Sequence, residues 1–126
     1  MYLPERPRIL VADDERIIAD CLAMILDQNG YESVPVYGGR LAVERARHWR
    51  PDLLLSDVSM PELDGIQTAI EICAIVPDCR VLLFSGDPGS KILVRAAGKN
   101  GHRFEFLPKP IAPIDLLRRI RHLRAA

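Results

Sequence analysis

Residues 51–65 read PDLLLSDVSMPELDG. Three leucines, Leu53 to Leu55, run straight into Ser56 and Asp57, and a Met-Pro pair followed by Asp64-Gly65 closes the segment. A near-continuous apolar run of this length suits a strand buried on both faces, as in a parallel sheet covered by helices. A carboxylate at the end of such a strand is costly to bury unless something nearby compensates its charge.

Working outward, residues 52–56 are predicted as a strand. Asp64 is the expected N-cap of a helix running through Ile66, Ala69, Ile70, Cys73 and Ile75. Upstream, residues 8–12 (RILVA) form a short apolar run ending at Asp13 and Asp14. Residues 15–29 have helical spacing at Ile17, Ile18, Cys21, Leu22, Ile25 and Leu26, with Gly30 as the stop. Residues 31–37 (YESVPVY) read as a strand, and the proline inside it suggests an edge. Gly38-Gly39 opens a helix through Leu41, Val43, Ala46 and Trp49. Downstream, residues 79–84 (CRVLLF) are a strand ending at Ser85-Gly86, and residues 89–98 hold a short helix. Residues 104–107 (FEFL) are a fifth strand, and Pro113 opens a last helix with Ile114, Leu117, Ile120 and Leu123 on one face. This is a strand–helix unit five times over, which implies an α/β fold with a parallel sheet between two helical layers and right-handed crossovers. One domain over residues 1–126, with its core at about residues 8–124, is expected, with no internal repeat, linker or output domain.

Composition narrows the function classes. Of the 126 residues, 48% are hydrophobic and 27% charged, and Lys+Arg and Asp+Glu both number 17. A net charge of zero offers no electrostatic case for nucleic acid or a membrane surface. No apolar run approaches the roughly 20 residues of a membrane span. The opening MYLPERPR has no apolar core for a signal peptide, so the cytoplasm is the expected compartment. Cys21, Cys73 and Cys79 lack CxxC spacing and are expected to be buried free thiols. His48, His102 and His122 are dispersed and receive no ligand role; Trp49 is expected to pack. Arg118, Arg119, Arg121 and Arg124 could face an acidic partner or a dimer, or form a solvated face suited to the helix dipole; both readings stay open.

Asp13, Asp14, Asp57, Ser85 and Lys109 all fall at or just past the carboxyl ends of predicted strands. In an open α/β sheet those ends share one edge, where the ligand crevice forms. Taken singly, each has an ordinary reading as a helix cap, a turn residue or a surface lysine. Together they are a restrictive set. Three carboxylates packed together repel, and a divalent cation relieves the repulsion. Oxygen ligands favour Mg²⁺, which keeps room for a phosphate oxygen. A lysine and a hydroxyl complete a phosphoryl pocket, and an aspartate can act as nucleophile by forming an acyl phosphate. Asp57, the lone acid at the carboxyl end of the central strand, is the choice for that role.

On Asp13-Asp14, "SDVSMPELDG" around Asp57, Ser85-Gly86 and Lys109-Pro110, the sequence resembles the receiver domain of two-component response regulators from Arg8 to about Arg124. The resemblance implies a flavodoxin-like (βα)5 doubly wound sandwich with a five-stranded parallel sheet in order 2-1-3-4-5. It implies that Asp57 accepts a phosphoryl group from a sensor histidine kinase or phosphotransfer protein. It implies Mg²⁺ held by Asp14, Asp57 and the backbone carbonyl of Ser59, with Asp13 acting through water. It implies phosphate binding by Ser85, Gly86 and Lys109, a switch pair of Ser85 and Phe106, and a cis bond before Pro110. The readout would be the face of the fourth helix, fifth strand and fifth helix, meeting an effector or a second copy. No turnover of an external substrate, direct nucleic-acid binding or membrane contact is expected. Ser85 stands where Thr is also common, and Phe106 where Tyr is frequent. The segment AAGKNGHRFEFLPKP is longer than the usual connection and resembles a subset of stand-alone receivers. Ser59 and Asp87 occupy positions that tune dephosphorylation in the family. A phosphorylation-independent interaction module and a small-molecule enzyme on the same fold are the alternatives.

Overall fold

Strand and helix alternate along the whole of residues 6–125, which the computed structural model describes. The expected absence of a signal peptide rests on residues 1–8, of which 1–5 lie outside the described residues. The elements are β1 (Arg8–Ala12), α1 (Arg16–Asp27), β2 (Glu32–Val36), α2 (Gly39–His48), β3 (Leu53–Asp57), α3 (Gly65–Ile75), β4 (Arg80–Ser85), α4 (Pro88–Lys99), β5 (Glu105–Pro108) and α5 (Pro113–Ala125). The strands form one sheet in the order β2-β1-β3-β4-β5, every neighbouring pair parallel. This is the flavodoxin-like doubly wound arrangement. Among the described residues no helix is long and apolar enough to cross a membrane.

Strand side chains alternate between two cores, as the two-residue period requires. Leu10, Ala12, Leu54, Val81 and Leu83 face a layer that includes Val43 of α2, Ile72 of α3 and Val94 of α4. Ile9, Val11, Leu53, Leu55, Leu82 and Phe84 face Leu22 and Leu26 of α1 and Leu116 and Ile120 of α5. All five residues of β3 are buried, including Asp57 at its end. The central strand has a helix layer over each face, which accounts for the unbroken leucine run.

Local signals set the element ends. Asp64 caps α3, its side chain accepting from Gln67 N–H at 2.8 Å. Asp87 caps α4 by accepting from Gly89 N–H at 3.0 Å, with Pro88 in the first turn. These two residues start α4 earlier than the expected residue 89, and it continues through Lys99 before Gly101 turns the chain at φ +92°.

Three expectations need correction. The buried face of α1 is Ala19, Leu22, Ala23 and Leu26, so Ile17 is 79% exposed and Cys21 is exposed rather than buried. Alanines contribute to the buried stripe there, and the larger isoleucines drew the face askew. In α5 the fully buried residues are Leu116 and Ile120, while Ile114 is 63% exposed. Cys73 is only half-buried; Cys79 is buried, its thiol pushed up to about 12 chiefly by burial, and all three cysteines are free. Trp49 packs against the core as expected, with the Arg8 guanidinium 5.3 Å from its ring centre.

One close approach fixes β3 against α3. A Cβ on Gly65 would overlap the carbonyl group of Asp57 and the Cα of Val58. Gly65→Ala is therefore expected to destabilise the fold by about 1–3 kcal/mol. Gly98→Ala, in α4 where a Cβ would meet nothing within 4 Å, is expected to stabilise it by about 0.5–1 kcal/mol. Chemical denaturation of both variants beside the parent checks the opposite signs.

Candidate functional site

The carboxyl ends of β1, β3, β4 and β5 bring Asp13, Asp57, Ser85 and Lys109 to one edge of the sheet. Val58 N–H bonds to the Phe84 carbonyl at 2.9 Å, and Gly65 N–H returns to the Val58 carbonyl at 2.8 Å. The loop carrying Met60 and Pro61 is thus pinned at both ends, with Glu62 in the left-handed region at φ 67°. That loop leaves Asp57 facing the crevice from a strand end that is only 5% exposed.

Asp57 has a partner on each oxygen. Oδ1 accepts from Ser59 N–H at 3.1 Å, and Oδ2 from the Lys109 ammonium at 3.3 Å. The first bond places the Ser59 main chain beside the carboxylate. Asp13 is fully buried; its Oδ1 accepts from Glu15 N–H at 2.9 Å. Its Oδ2 lies 3.8 Å from Lys109 Nζ, too far for a hydrogen bond, and has no hydrogen-bond partner. Asp14 is exposed, yet one oxygen from each of Asp13, Asp14 and Asp57 falls within 4.8 Å of the others. Three acids therefore face one lysine.

Lys109 is held from several sides. Its N–H donates to the Ser85 carbonyl at 2.9 Å, its ammonium lies 5.1 Å from the Phe84 ring centre, and the bond to Pro110 is cis. Gly86 runs close to the Lys109 side chain, which a Cβ there would approach to 3.7 Å. Ser85 Oγ accepts from Asp87 N–H at 3.0 Å and from the Ser90 hydroxyl at 2.8 Å. Phe106 stands apart from the carboxylates: it pairs in register with Leu83 and packs, half-buried, against the core beneath α4. Sequence reasoning missed two residues here. The sequence places Phe84 only in the strand of residues 79–84, and Ser90 only in the short helix of residues 89–98. A hydroxyl five residues beyond Ser85, in the first turn of the following helix, was the available signal.

The donor set fits a divalent cation. Its atoms are all carboxylate oxygens, and the buried Asp13 Oδ2 lacks a hydrogen bond that a metal or its water would replace. Burial, seconded by the Asp57 and Asp14 charges, pushes Asp13 up from 3.8 to about 6, against the opposing Glu15 N–H and Lys109. Because its folded value lies above the unfolded one, ionising Asp13 costs stability as pH rises from about 4 to 6, and the full cost persists above. With chelator present, Asp13→Asn is thus expected to gain stability over the parent across that window, levelling at an advantage of up to about 3 kcal/mol. Denaturant melts at pH 4, 5, 6 and 7.5 measure the difference.

Sequence and structure comparisons agree with this geometry. The response regulator MprA of Mycobacterium ulcerans (strain Agy99) is 35% identical over 116 residues, covering 92% of this chain and 49% of its own. The chain spans about half the length of the curated relatives it matches. The chemotaxis response regulator CheY4 of Vibrio cholerae superposes with a TM-score of 0.81 at 25% identity, over 94% of this chain and 98% of its own. The signal receiver domain of a signal transduction histidine kinase from Syntrophus aciditrophicus does so at 0.81 and 29% identity, over 94% and 90%. Residues 9–121 match the family model of the response regulator receiver domain, and the chain belongs to that family.

Proposed function

We propose that this chain is a phosphorylation switch in which Asp57 accepts a phosphoryl group from the phosphohistidine of a sensor histidine kinase or phosphotransfer protein. The observation that carries the reading is the placement of the Asp57 carboxylate 3.3 Å from the Lys109 ammonium and within 4.8 Å of Asp13 and Asp14 oxygens. The switch unit is residues 8–124, one receiver domain.

A carboxylate oxygen of Asp57 attacks phosphorus as the bond from phosphorus to the donor imidazole nitrogen breaks. The strand end and the bond from Ser59 N–H hold that carboxylate in a fixed pose, so orientation is largely supplied before the donor arrives. Asp13, Asp14, Asp57 and the Ser59 carbonyl are the residues to hold Mg²⁺. Bound there, the ion would neutralise carboxylate and phosphoryl charge. Lys109 gives up Asp57 and takes a phosphoryl oxygen; Ser85 donates its hydroxyl to another, beside the Gly86 main chain. Water attacking that acyl phosphate returns Asp57 to its free carboxylate and releases inorganic phosphate; the chemistry is confined to this residue, with no other substrate.

The added charge then biases α4, β5 and α5, with Phe106 following Ser85. Ile92 and Leu93 of α4, 69% and 56% exposed, support that face as the contact for an effector or a second copy. The three free cysteines support a reducing compartment, the cytoplasm.

Intact mass after incubation with acetyl phosphate and Mg²⁺ tests the assignment. One phosphoryl group is expected on the parent and none on Asp57→Ala, with at least a tenfold slower gain for Lys109→Ala, about the worth of one charge-assisted hydrogen bond. Equal labelling of parent and Asp57→Ala would move the nucleophile elsewhere. No labelling of the parent, and no thermal shift with Mg²⁺, would favour a phosphorylation-independent interaction module.

A further inference from the structure

Ser85 is tied by main chain and side chain to different elements. Its carbonyl accepts from Lys109 N–H at 2.9 Å, which locks its backbone to the end of β5. Its hydroxyl oxygen accepts from Asp87 N–H and from the Ser90 hydroxyl, both at the start of α4. Asp87 is the N-cap of that helix, and Ser90 lies in its first turn, with its N–H on the Asp87 carbonyl at 3.0 Å. Ser85 and Ser90 are 3% and 1% exposed, so solvent does not stand ready to replace either partner.

Resting on the receiver reading above, we propose that Ser90 is a positioning residue that holds the Ser85 hydroxyl against α4 and sets how readily Ser85 is released to a phosphoryl group on Asp57. With the backbone of Ser85 fixed, the move falls on χ1, which occupies discrete staggered wells. Serine has no β-branch to choose among those wells, so its hydrogen bonds choose. Turning Ser85 Oγ toward Asp57 parts it from Ser90 Oγ and strands the Ser90 hydroxyl in the interior. A buried hydroxyl without a partner is costly, and that cost belongs to the switched state. Alanine at position 90 has no hydroxyl to strand, so the substitution lowers the cost of switching. The same bond links the move to α4: releasing Ser85 frees the first turn of that helix from β4.

The test is the affinity of the full chain for beryllofluoride in the presence of Mg²⁺, read by fluorine NMR. The set is the parent, Ser90→Ala, Ser90→Cys, Ser85→Ala and the double variant. Ser90→Ala is expected to bind about threefold to tenfold more tightly than the parent. Ser90→Cys, whose thiol is a weak donor of similar size, is expected to fall between them. If Ser90→Ala fails to fold, Ser90→Cys alone carries the comparison. In the Ser85→Ala background the gain is expected to vanish, because a bond to Ser85 cannot be lost twice. Unchanged or weaker binding by the Ser90 variants overturns the proposal, as does a gain that persists without the Ser85 hydroxyl. A parent that binds no beryllofluoride overturns the phosphorylation-switch reading itself, and this inference with it.

Discussion

Burying Asp13 and Asp57 beside Asp14 is the constraint on which this molecule is organised. Carboxylates leave water only where donors or opposite charge replace it. Here Glu15 N–H, Ser59 N–H and one lysine serve the two buried acids, and one oxygen of Asp13 has no hydrogen bond at all. The arrangement is under-neutralised by construction. A site of this kind suits a divalent cation, which supplies charge of the sign that the polypeptide withholds.

The sheet makes that arrangement durable. β3 has no solvated face, and the loop after it is pinned to β4 at Val58 and to itself at Gly65. Two cores, one on each side, oppose any slide of the strand, since a one-residue slip would exchange every side chain between them. Backbone constraint is concentrated at Asp57, while the Ser85 hydroxyl at the end of β4 is held by hydrogen bonds to Asp87 and Ser90.

Much of this was legible in the sequence because strand ends in a parallel sheet share an edge. Once five strands were marked, Asp13, Asp14, Asp57, Ser85 and Lys109 had to converge, whatever their distance along the chain. Helix faces were less legible. In α1 and α5 apolar residues lie on more than one side, so spacing alone could not say that Leu22 and Leu116 are buried while Ile17 and Ile114 are exposed. Hydroxyl-to-hydroxyl bonding was barely legible. Ser90 belongs to no hydrophobic period and no charge pattern, and its spacing from Ser85 gains meaning only from their proximity in space. The ring of Phe84 beneath Lys109 escaped for the same reason: a core residue and a lysine-holding residue look identical in a strand.

The prolines of the sheet have a consequence for how this protein behaves in crowded solution. β2 contains Pro35 and β5 ends in Pro108, while β1, β3 and β4 contain none. β2 and β5 are the two outer strands, the ones with an unpaired side. A proline there removes an amide donor where a stray extended chain would otherwise dock and lengthen the sheet. The borders of the sheet thus discourage strand-on-strand stacking, the usual first step toward fibrous aggregates.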